Sequence, residues 1–195
     1  ATVKDAAGVP IAGLPVTITL PTGVTAKSTS PLIAYTSATG VASWSVYATT
    51  AATYAFTFTG GGLTKTSYLK WTSGSARVVS VTSGASSNGI TPVTIKVTDA
   101  YGNGVASTAV SLVATGGYFQ GLPMTSSQNT SADGTIVVAF VGSGSVKATI
   151  SGGQSLDLAG YVGTTAVTGF PAGVATATGA AEGEKIRADA DRQRE

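Results

Sequence analysis

The sequence predicts an all-β protein built from antiparallel β-sandwiches in tandem. Three observations lead there. Apolar and polar residues alternate over short stretches, the period of a strand with one buried face. Glycine, asparagine and aspartate separate these stretches, and no helix-period segment interrupts them before residue 180. Two markers also recur at a single spacing. Val3-Lys4-Asp5-Ala6-Ala7-Gly8 returns as Val97-Thr98-Asp99-Ala100-Tyr101-Gly102, 94 residues on (97 − 3). Thr36-Ser37-Ala38-Thr39-Gly40 returns as Thr130-Ser131-Ala132-Asp133-Gly134, again 94 residues on (130 − 36). Two separate markers at one offset point to a duplicated module.

Residues 1–8 read as a strand ending in a glycine turn. Pro15–Pro21 alternates, and a short strand is expected near Leu32–Tyr35. After Gly40, the residues Ala42, Trp44 and Val46 share a face, as do Tyr54, Phe56 and Phe58 further on. Leu63–Trp71 is the last strand of the first module. Arg77–Thr82 opens the second module and has no counterpart in the first. Val93, Ile95 and Val97 follow the break at Asn88-Gly89, and Asn103-Gly104 reads as a tight turn. Thr108–Ala114 is the next strand and Gly116–Gln128 a looser connection. Ile136, Val138 and Phe140 form one inward row and Val146, Ala148 and Ile150 another, with a hairpin turn expected at Gly142–Ser145. Leu156–Val162 is expected to close the sandwich. The predicted organisation is a first domain over 1–72 that lacks its opening strand, a second over 73–163, and a linker with a charged tail over 164–195.

Composition narrows the function. Of 195 residues only 10% are charged, against 43% hydrophobic, and the net charge is +2. That balance gives no reason to expect nucleic acid or an anionic membrane as partner. No apolar run approaches the roughly 18 residues of a membrane span. Without histidine or cysteine, the usual base for a serine nucleophile, the disulfides and the commonest transition-metal ligands are missing. The expectation is therefore a protein that is not an enzyme and holds no cofactor. Acidic residues are sparse before Ala180, at Asp5, Asp99, Asp133 and Asp157, and dense after it. Ala180–Glu195 has the composition of a helix and resembles the charged helical segments of stomatin/prohibitin-like proteins. The chain opens inside a strand pattern, as expected of a piece of something longer.

The Val-x-Asp-x-x-Gly turn, the x-Val-x-Leu strand, Thr-Ser-Ala-Asp-Gly and the final alternating strand together resemble bacterial Ig-like domains of the invasin/intimin type. The resemblance covers roughly residues 1–71 and 76–160. It departs from the pattern in the missing first strand and in Thr39, which stands where an acidic residue is usual. It implies tandem Ig-like sandwiches of the kind found in adhesins and surface-layer proteins, located on the bacterial cell surface or outside the cell.

Asp5 and Asp99 are expected to cap backbone N–H groups at their turns. Asp99 with Asn103, and Asp133 with Asn129, are the candidates for a calcium ion, each pair supplying side-chain oxygens. Trp44 is expected in the core. Trp71, at the module boundary, and Tyr118, Phe119 and Leu122, in the connection after Gly116, are the candidate contact residues. The leading expectation is a structural subunit of a surface layer, sheath or filament that self-associates. Its alternatives are an adhesin stalk touching an envelope glycan or receptor, and a phage virion decoration domain. The incomplete first module also suggests strand exchange between copies, with Thr165–Thr178 as donor, or completion by upstream sequence.

Overall fold

The computed structural model describes residues 1–27, 30–151 and 160–168. The chain divides into two units between Gly74 and Ser75, and every regular element among the described residues is a strand. The tail Ala180–Glu195 and most of Thr165–Thr178 lie outside the described residues.

The first unit contains β1 (Pro15–Thr19), β2 (Val24–Ala26), β3 (Ile33–Tyr35), β4 (Val46–Ala48), β5 (Thr53–Gly60) and β6 (Leu63–Lys70). They form a four-stranded antiparallel sheet in the order β3-β1-β5-β6 and a second, two-stranded sheet of β2 and β4. Alternation places Ile18, Tyr54 and Phe56 inward from the larger sheet, against Val24, Trp44 and Val46. Trp44 packs on Phe58 with ring centroids 5.4 Å apart, and Trp71 meets the Tyr54 ring edge-on at 5.4 Å. The expected strand over residues 1–8 reduces to two isolated bridges, Thr2 to Val41 and Lys4 to Pro10. The chain opposite it, Ser37–Gly40, is itself a turn closed by the Gly40 N–H donating to Ser37 O, so the ladder stops after one pair.

The second unit contains β7 (Val78–Ser83), β8 (Ile90–Thr98), β9 (Ala109–Phe119), β10 (Thr125–Asn129), β11 (Thr135–Ile150) and β12 (Val162–Val167). Their order is β10-β9-β11-β8-β7, with β12 also paired to β11. The first half of β11, Thr135–Val141, pairs with β8. Its second half pairs with β9 on one side and β12 on the other. One strand thus belongs to both layers, and the core lies between them. Val93, Ile95 and Val97 of β8 meet Val110 and Leu112 of β9 and Val146, Ala148 and Ile150 of β11, all with no solvent exposure.

Four sequence expectations are corrected here. Gly142–Ser145 is a bulge inside β11 and not a hairpin: the register shifts there while the strand continues. A positive φ at Gly142 (95°) lets the strand bend from one layer to the other without reversing. Asn103-Gly104 is not the tight turn. The turn lies at Asp99–Gly102, closed by the Gly102 N–H donating to Asp99 O, and Gly104 bridges Thr98. The Asn-Gly pair with positive φ at both residues is Asn88 (51°) and Gly89 (74°), within reciprocal bonds between Ser87 and Ile90. The looser connection over Gly116–Gln128 is the end of β9 followed by β10, because Gly117–Phe119 pairs with β11 beyond the irregularity at Gly116. Of the expected closing strand Leu156–Val162, residues 156–159 lie outside the described residues; β12 pairs with β11 over Val162–Val167 and so runs past residue 163, and the Ile150 N–H donates to Tyr161 O beside the pair of Thr149 and Val162. Thr165–Val167 therefore already pairs within the second unit, which removes the start of the suggested exchange segment.

Candidate functional site

The polar residues that recur along the chain gather at one end of each unit. In the second unit, period two carries the buried row of β8 (Thr91, Val93, Ile95, Val97) one step further to Asp99, so a carboxylate arrives on the core side of the strand end. A buried charge persists only where donors meet it. Asp99 is 4% exposed, and its Oδ1 accepts the N–H groups of Tyr101 at 2.8 Å and Asn103 at 2.9 Å. The Asn103 side-chain amide donates to Oδ2 at 2.9 Å. Beside it, the buried Thr130 hydroxyl donates to Val105 O at 2.6 Å and accepts the Thr108 N–H at 2.9 Å.

Each of the backbone contacts has its counterpart 94 residues earlier. Asp5 Oδ1 accepts the N–H groups of Ala7 at 2.9 Å and Val9 at 2.8 Å. The Thr36 hydroxyl donates to Ile11 O at 2.7 Å and accepts the Leu14 N–H at 2.9 Å. The sequence markers therefore record a hydrogen-bond arrangement. The carboxylate closes the turn after one strand, and the threonine ties the Ser-x-x-Gly turn to the chain crossing the end of the sandwich. The asparagine at 103, where the first unit has Val9, adds the side-chain bond to Asp99. The threonines belong to the recurring markers, yet sequence reasoning gave them no role. Their signal was a threonine at the same place before both turns.

Asp133 lies at this end too, its main chain against Gly104, with its carboxylate in solvent. Ser131 Oγ donates to its Oδ1 at 2.6 Å and Thr135 Oγ1 at 2.7 Å. These hydroxyls, Ser131 foremost, hold its pKa at about 2 against an ordinary 3.8. Thr39 occupies the corresponding place in the first unit, and its hydroxyl lies 2.9 Å from that of Ser37. Of the calcium candidates, Asp99 and Asn103 are thus joined to each other, and Asp99 turns both oxygens toward N–H donors. Asn129 ends β10, paired with Ala109. No group of three or more acidic, histidine or cysteine side chains is assembled among the described residues.

The contact candidates separate. Phe119 is buried and meets Phe140 edge-on at 6.1 Å. Leu122 packs on the same core, half-buried. Gly117 lies so close to the Phe140 ring that an added Cβ would fall 2.5 Å from it. Tyr118 faces solvent, as does Met124 beyond it. Trp71, half-buried, packs into the first unit's own core against Tyr54 and Phe56. No helix among the described residues is long and apolar enough to cross a membrane.

No protein-family model and no curated protein matches the sequence. Among solved structures the chain is similar to invasin, a bacterial integrin-binding protein, at 23% identity and a TM-score of 0.40, over 86% of this chain and 34% of that one. It is similar to the D0-D1 domain of intimin at 20% identity and a TM-score of 0.35, over 86% of this chain and 87% of that one. A β-glucuronidase of Parabacteroides merdae matches at 11% identity and a TM-score of 0.40, over 79% of this chain and 21% of that one. The chain spans about a third of the invasin structure it matches. Invasin and intimin, the proteins the sequence resembles, are among its structural neighbours, and among the described residues each of the two units is built of strands alone. Sandwiches of this kind host many functions, so function has to be read from the residues.

Proposed function

We propose that the chain is a structural, non-catalytic component of a bacterial cell-surface assembly: a subunit of a surface layer, sheath or filament whose sandwiches act as spacers. The observation behind this reading is where the recurring polar side chains point. The carboxylates of Asp5 and Asp99 and the hydroxyls of Thr36 and Thr130 bond their own backbone. They stiffen the ends of the sandwiches and leave no nucleophile–base pair among them. The low charge supports close lateral packing of copies, since little hydration has to be removed from the contacting faces. Gold-labelled antibody against the chain, applied to sections of the cells that make it, tests the reading. Label at regular spacing over the envelope or along filaments is expected, and label confined to the cytoplasm overturns it. A second reading, an adhesin stalk that touches a glycan or receptor, is favoured by the exposed Tyr118 on β9. Binding of the purified chain to a glycan array would select it.

A further inference from the structure

The 94-residue offset that relates the two units also relates one edge of each. β3 pairs with β1 through Tyr35 and Pro15, Ala34 and Val16, Ile33 and Thr17. β10 pairs with β9 through Asn129 and Ala109, Gln128 and Val110, Ser127 and Ser111, every residue 94 further on. Each of the two strands is the last of its sheet. The second unit, with β7 and β12 in place, leaves this edge as open as the first does, so the open edge belongs to the module itself.

The two edges carry opposite chemistry. β10 is Thr125-Ser126-Ser127-Gln128-Asn129, whose hydroxyls and amides water can satisfy. At the same places the first unit has Pro31-Leu32-Ile33-Ala34-Tyr35. Leu32 is 49%, Ile33 51% and Tyr35 70% exposed. Charged side chains commonly blunt an edge of this kind, yet no charged residue occurs between Lys27 and Lys65. The backbone of β3 is open on the same side. The Ile18 N–H donates to Leu32 O at 2.9 Å and the Thr36 N–H to Leu14 O at 3.0 Å. Main-chain groups alternate sides along an antiparallel strand, so Leu32, Ala34 and Thr36 face β1. Ile33 and Tyr35 turn their N–H and C=O outward, where no strand pairs with them among the described residues.

We propose that β3 pairs with β3 of a second copy of this chain, antiparallel and about a two-fold axis at Ala34. The axis sets Ile33 of each copy beside Tyr35 of the other. These two residues exchange their outward N–H and C=O bonds. Their side chains form a β-branched–aromatic pair on the outer face, a favoured cross-strand combination. A second copy is the occupant because the strand is complementary to itself under that rotation. Two uncharged edges also meet without like-charge repulsion. The polar β10 edge gains no apolar cover from a copy of itself. The contact joins two four-stranded sheets into one. It would give the surface-assembly reading a lateral join, but it stands on the edge alone: label absent from the envelope removes that reading and leaves the dimer.

Sedimentation velocity of the full chain over a wide concentration range tests this, and a monomer–dimer equilibrium is expected. Ile33→Pro removes an N–H that β1 does not use and is expected to weaken dimerisation by about tenfold or more. The thermal midpoint of the dilute monomer, read by tryptophan fluorescence because Trp44 and Trp71 both pack in the first unit, is expected to stay within about 2 °C. Ser127→Pro, the matching change in β10, is expected to leave the dimer intact. A charge pair reads the register without proline. Ile33→Lys and Tyr35→Glu should each weaken self-association, and a one-to-one mixture of the two should recover it, because position 33 of one copy lies beside position 35 of the other. A chain that stays monomeric at every concentration overturns the proposal. So does a dimer that survives Ile33→Pro or is lost in Ser127→Pro, and so does a mixture no tighter than its components.

Discussion

Replacing Thr36 by valine removes one hydroxyl and almost no volume, which isolates the hydrogen bonds from packing. The hydroxyl donates to Ile11 O at 2.7 Å and accepts the Leu14 N–H at 2.9 Å, at a site 5% exposed. Valine leaves both backbone groups without this partner. Each buried group left unpaired costs roughly 1–3 kcal/mol. Ile11 and Leu14 are only half-buried, so water recovers part of the loss and about 2 kcal/mol remains. For a domain of 60–100 residues that lowers Tm by about 8–16 °C. Tryptophan fluorescence reads the first unit alone, since the chain's two tryptophans both pack there. Thr130→Val removes the equivalent bonds 94 residues on. It is expected to leave the tryptophan transition in place and lower a second transition, seen by circular dichroism, by a similar amount. A Thr36→Val shift under about 2 °C would refute the view that these threonines hold the sandwich ends. So would a tryptophan transition that both variants move equally.

Two further outcomes follow from single side chains. The indole N–H of Trp44 is buried without a hydrogen-bond partner, so Trp44→Phe loses some packing and also removes an orphaned donor. Its urea midpoint, read from Trp71, should imply a change within about 1 kcal/mol, against about 3–5 kcal/mol for Trp44→Ala. Equal losses from the two variants would show that the donor is not orphaned. Asp133 has its pKa lowered from 3.8 to about 2. A depressed folded-state pKa favours the charged form, so its contribution is present above pH 4 and disappears as pH falls toward 2. Asp133→Asn should therefore flatten the acid limb of the second unit's Tm between pH 4 and 2. An acid limb identical in the two proteins would contradict the assignment.

Much of this fold was legible in the sequence, for physical reasons. Inward rows such as Val93-Ile95-Val97 announce themselves because a strand alternates its faces, and the 94-residue offset tied Asp5 to Asp99 before any contact was known. The caps at Asp5 and Asp99 were legible too, because the chemistry of an aspartate before a turn is local. What failed was glycine. Gly142 and Gly144 fit a hairpin as well as a bulge, and only the ladders on both sides of β11 decide between them. Asn103-Gly104 looked like a turn for the same local reason, yet the bonds of Asp99 place the turn three residues earlier. Tyr118 and Phe119 are neighbours of similar character. One is exposed and one buried because β9 continues to residue 119, which no local signal announced.

The most direct test of the central claim, that two separately cored sandwiches resist tension as spacers, is to stretch the single chain between handles at its ends. The account predicts two discrete unfolding events. They should release roughly 27 nm and 33 nm of contour, at about 3.6 Å for each residue of 1–74 and 75–167. A single event, or smooth extension without a force peak, would contradict it.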